Sequence, residues 1–109
     1  MKSSEVLVAD GQIETFSYRG NCLTVLIRTD GGAFEVIFHT VLGMKATSPE
    51  GQDLSHLAES AESPYLVETC RAAEEPADGF KEFSFISAWN DEPLLTVVAI
   101  DVQVSKTLR

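Results

Sequence analysis

The chain has 109 residues, 44% of them apolar, with 17 acids against 8 bases and a net charge of −9. That size predicts a single domain spanning residues 1–109, and the apolar content is too high for global disorder. A pI near 4.5 argues against nucleic acid and anionic membrane surfaces as partners, because phosphates would be repelled and no basic stripe releases counterions.

The charge is uneven. Between residues 50 and 78 there are eight acids and one base, Arg71, so −7 of the total −9 lies in 29 residues. The two cysteines, Cys22 and Cys70, are too few for a disulfide framework and read as reduced thiols. The N-terminal apolar run Val6 to Ala9 is short for a signal peptide core, and Leu94 to Ile100 is far short of a membrane span. The expectation is a cytoplasmic protein.

In chain order, Gln12 to Tyr18 alternates weakly, with Phe16 and Tyr18 on one face, and Arg19-Gly20-Asn21 supplies turn residues. Cys22 to Thr29 is a clearer strand, with Leu23, Val25 and Ile27 on one side. Asp30-Gly31-Gly32 marks a tight hairpin, because these residues tolerate positive φ and both flanks are β-prone. Ala33 to Leu42 continues as a strand, with Phe34, Val36 and Phe38 on one face and Glu35, Ile37 and His39 on the other.

Residues 43–52 read as a loop. Ser48-Pro49-Glu50 has the form of a helix start, with Asp53 as a rival cap, and Leu54, Leu57, Ala58 and Ala61 share helical spacing. Ser63-Pro64 repeats the signal. Leu66, Val67, Cys70 and Ala73 then form one helical face, with Glu68, Arg71, Glu74 and Glu75 opposite. A strand through the β-prone Tyr65-Leu66-Val67 stays open as an alternative.

Residues 76–79 break the helix. Phe80 to Trp89 alternates, with Phe83, Phe85 and Trp89 on one side, and Asn90 to Pro93 turns the chain. Leu94 to Val104 is the most apolar strand; its first half is apolar on both faces and so belongs at the centre of a sheet. Residues 105–109 read as a tail.

The order is β-β-β-α(α)-β-β, an α+β fold. The expectation is a curved, mostly antiparallel five-stranded sheet with helices on one face; the alternative is a small β-barrel with a helical insertion.

No phosphate-binding glycine loop, nucleophile elbow or H-E-x-x-H zinc pattern is present. Cys22, His39, His56 and Cys70 are the right types for zinc, but one ligand per element matches no zinc spacing, so no metal or other cofactor is expected. Cys70 beside a histidine could act as a nucleophile, but its place on the apolar helix face makes it inert packing. Asp91 and Glu92 are neighbours in a turn and diverge into water. The reading leans against an enzyme.

Two functional readings remain. In the first, the chain is a non-enzymatic protein-interaction module whose acidic face, Glu59, Glu62, Glu68, Glu74, Glu75 and Asp78, binds a basic protein. In size, acidity and α+β order the chain resembles small immunity proteins that neutralise basic toxin nucleases, which implies an inhibitor of a basic partner; no motif carries the resemblance. In the second, Phe34, Phe38, Tyr65, Phe83, Phe85 and Trp89 line an apolar pocket between sheet and helix for a small apolar ligand. Either allows a homodimer through an open sheet edge.

Overall fold

A computed structural model describes the backbone of residues 10–106. The N-terminal apolar run lies outside the described residues. Eight strands form two antiparallel four-stranded sheets instead of the single five-stranded sheet expected. Sheet I has the order β1 (Gln12–Arg19), β2 (Cys22–Thr29), β3 (Gly32–His39), β8 (Asp101–Lys106). Sheet II has the order β4 (Gly43–Ala46), β7 (Pro93–Ala99), β6 (Lys81–Ser87), β5 (Leu54–Ser60). Among the described residues the other regular elements are one helix, α1 (Pro64–Ala72), and a 3-10 turn at Ala77–Gly79.

The long apolar run was expected to be one strand. It bends at Ile100 and serves both sheets, as β7 in sheet II and β8 in sheet I. The partner run does the same: β3 pairs with β8, β4 pairs with β7, and residues 40–42 make the corner. There Thr40 takes φ 56, a costly conformation for a β-branched residue. Strands that switch sheets at such corners let two small sheets share one core. At the opposite side the sheets touch through single bridges, Gln12 to Asp53 and Ile13 to Glu50, and the result is no closed barrel.

Between the sheets lies the main core. Ile13, Leu23, Val25, Ile27, Val36 and Phe38 come from sheet I; Leu54, Leu57, Phe83, Phe85, Leu95, Val97 and Ala99 come from sheet II. Phe38 meets Phe83 at 5.3 Å and Phe85 edge-on at 6.0 Å between ring centroids. A smaller core sits on the other side of sheet II, where Leu66 and Cys70 of α1 pack on Val98 and Phe80. This second layer explains why β7 is buried on both faces: Val97 points into the sandwich and Val98 under the helix.

The helix expected to begin at Ser48 or Asp53 is strand β5, and part of the expected loop is β4. The helix-like spacing comes from a bulge. Leu54 pairs with Ser87 but His56 pairs with Ile86, so one extra residue sits on β5 and Leu54 and Leu57 reach the same face three residues apart. Three-residue spacing imitates a helix. An equivalent shift between Ile13 and Thr15 puts Ile13 and Phe16 on the inner face and blurs the alternation of β1.

The second start signal is correct. Ser63 caps α1, its Oγ accepting the Leu66 N–H at 3.0 Å, with Pro64 in the first turn. Gly43 is what lets α1 lie close on β4: a Cβ there would stand 2.8 Å from Thr69 Cγ2 and 3.2 Å from Tyr65 Oη. Residues 105 and 106, expected in the tail, belong to β8.

Candidate acidic surface around the helix

The acids of the middle segment do not share one helical face. Among those proposed for binding, only Glu68 is in α1, on its exposed side. Glu62 lies in the short link from β5 into the helix. Glu74 and Glu75 follow the helix, and Asp78 sits in the 3-10 turn; all are exposed. Glu59 stands apart on β5, where it pairs with Lys81 at 3.1 Å. Ser60 is the register partner of Glu82, so the link carrying Glu62 lies at the same end of sheet II as the 3-10 turn that leads into β6. The result is an acidic frame around α1, with Arg71 the one base in the segment.

How α1 ends places two of these acids. The Glu75 N–H donates to the Cys70 carbonyl at 2.9 Å and the Glu74 N–H to the Arg71 carbonyl at 3.1 Å. This is a Schellman closure, and its left-handed position is filled by Glu74 at φ 58 where glycine is the favoured residue. Glu74 and Glu75 therefore sit at the negative end of the helix dipole, the end that favours cations.

Along the β4 flank of α1 runs an open groove of about 450 Å³, bordered by Leu42, Gly43, Met44, Tyr65, Glu68 and Thr69. Tyr65 forms one wall, with the Lys45 ammonium 4.5 Å from its ring centroid. Burial raises the Tyr65 pKa, a hydrogen bond with Thr69 opposes this, and the Glu82 charge adds to the rise.

The six residues expected to line a pocket are dispersed. Phe38, Phe83 and Phe85 are buried in the main core, and Phe34 packs partly buried against it. Tyr65 is in the first turn of α1, on the far side of sheet II. Trp89 does not continue the register of Phe83 and Phe85: β6 stops at Ser87 and Trp89 lies in the following turn, 79% exposed. That turn is held by Ser87, whose Oγ accepts the Trp89 N–H at 3.1 Å, and by Asn90 Oδ1, which accepts the Glu92 N–H at 3.0 Å. Seven residues of β6 separate Trp89 from the Asp78 end, roughly 23 Å of strand. Trp89 is thus a separate surface feature.

Of the four histidines and cysteines, Cys22 and His39 are neighbours across β2 and β3. His56 is on β5, beside Ser55, and Cys70 is buried on the sheet-facing side of α1. Among the described residues no three His, Cys, Asp or Glu side chains form a group able to hold a metal ion. No helix of the described residues is long and apolar enough to cross a membrane. No family model, curated protein or solved structure matches the chain.

Proposed function

We propose that the protein is a non-enzymatic interaction module that binds a basic protein surface through the acidic frame around α1, in the manner of an inhibitor or immunity-type protein. The observation that carries this reading is the end of the helix. Glu74 occupies a left-handed position better suited to glycine, and Glu74 and Glu75 face the negative dipole end. Acids that serve only solubility can sit anywhere on the surface. Acids held where local physics opposes them trade stability for something else.

The trade is measurable. Glu74→Gly should stabilise the fold by about 1 kcal/mol in urea unfolding, because the left-handed strain is removed. The same substitution should weaken capture of a basic partner from low-salt lysate of the source cell. Higher stability with capture unchanged would remove the reason for reading these acids as functional.

A second reading rests on the groove beside α1. Its Leu42 and Tyr65 walls, with Glu68 at the rim, suit a small amphipathic ligand carrying a cation. Ligand-induced thermal shift that disappears in Tyr65→Ala would favour this reading over the first.

A further inference from the structure

On the outer face of sheet I, away from α1, Cys22 and His39 form an arrangement that the interaction surface does not use. Cys22 Sγ lies 3.5 Å from His39 Nδ1, and His39 Nε2 lies 2.9 Å from Gln103 Oε1. An amide oxygen can only accept, so the bond to Gln103 places the ring proton on Nε2. That leaves the Nδ1 lone pair facing the thiol. A nucleophile, a base and a group that orients the base are thereby in line on three adjacent strands.

Strand register places this line. Cys22 directly follows the Gly20-Asn21 turn, whose two residues have φ 51 and φ 69, and it pairs with Arg19. His39 is the last residue of β3, before the corner at Thr40, and pairs with Asp101. The charged and titratable groups around the thiol are therefore Arg19 from β1, His39 from β3 and Asp101 from β8. Asp101 Oδ1 accepts the Val102 N–H at 2.8 Å. Both thiols are free; Cys22 is half-buried at the lip of the sheet, while Cys70 is enclosed.

We infer that Cys22, with His39 as its base and Gln103 as the positioning residue, is a reactive thiol that takes up low-molecular-weight disulfides as a mixed disulfide. The Cys22 proton passes to His39 Nδ1, and the thiolate attacks one sulfur of the disulfide. A Cys22–sulfur bond forms as the ligand's S–S bond breaks. The departing thiolate leaves with the electron pair of that bond and takes the proton from the imidazolium. Cys22 is oxidised, the disulfide is reduced, and no other reactant is needed.

The test is the rate of modification of the native protein by oxidised glutathione, followed by intact mass and peptide mapping, with iodoacetamide run in parallel. Modification is expected at Cys22 and not at Cys70. His39→Gln should slow Cys22 with both reagents by roughly tenfold or more. Gln103→Leu should slow it severalfold, and it tests the same arrangement at an exposed position should His39→Gln fail to fold. Gln103→Glu, which keeps an acceptor for the His39 Nε2 proton, should keep at least the native rate, which a merely structural role for Gln103 would not require. Equal rates in the native, His39→Gln and Gln103→Leu proteins, or preferential modification of Cys70, would overturn the assignment.

Discussion

The two sheets have the same number of strands but opposite outer faces. Sheet II is roofed by α1, which buries Leu66 and Cys70 against Val98 and Phe80 and surrounds the roof with carboxylates. Sheet I turns Thr24, Ile37 and Gln103 to its outer side, with no helix of the described residues over them. The two cysteines follow this division. Under the roof, burial first and the Glu75 charge second push the Cys70 thiol up and keep it protonated. On the bare face Cys22 has a histidine nitrogen beside it. One fold therefore holds a packing thiol and an accessible thiol, and covering, more than residue type, decides which is which.

The contrast is broken most forcefully by uncovering sheet II. Leu66→Ala should cost about 2–5 kcal/mol in urea unfolding, the range for a fully enclosed leucine. Ile37→Ala on the bare face should cost less than half as much, because Ile37 is only half-buried and water already reaches it. Equal losses would mean that the roof adds little to stability. Gly43→Ala is a finer cut: its new methyl must displace Thr69, lifting α1 from β4 for about 1–3 kcal/mol. A neutral outcome would show that the helix rests loosely on the sheet.

The smallest effect is on the pH dependence. Cys70 holds its proton more tightly in the folded than in the unfolded chain, so its contribution is complete below the unfolded thiol pKa and is lost as pH rises through the folded one. Tyr65 acts in the same sense at more alkaline pH, its raised pKa also set mainly by burial. Urea unfolding against pH should show an alkaline decline whose earlier part is absent in Cys70→Val. An unchanged decline in that variant would place its source elsewhere.

How much of this was legible in the sequence depends on the regularity of each strand. In β2, β3 and β6 the inner residues recur at every second position, so their faces could be read directly. The strands bulged beside the β1–β5 junction could not: the extra residue before His56 turned strand spacing into helix spacing, and that before Thr15 hid the pairing of Ile13 with Phe16 as inner residues. Ile100 ends an apolar run at Asp101, and nothing in its own type announces a change of sheet. Ser63-Pro64 was readable because capping is local chemistry. The Glu74 conformation was not, since a glutamate gives no sign of a left-handed turn.

The closeness of Cys22 to His39 was within reach. The Asp30-Gly31 turn pairs Thr29 with Gly32, and counting outward from it brings Cys22 opposite His39. The acidic segment was visible as charge, but its division into a frame around α1 and a separate Glu59–Lys81 pair on β5 needed the bulged strand.

The most direct measurement is the salt dependence of affinity for the captured basic partner, compared between variants of the two faces. One variant changes Glu62, Glu68, Glu74 and Glu75 to Gln around α1; the other changes Glu35 to Gln and Asp101 to Asn on sheet I. Weaker binding and a shallower salt dependence are expected for the α1 variant alone, with the sheet I variant matching the native protein. Native-like binding by the α1 variant, or an equal loss in both, would contradict binding through the acidic frame.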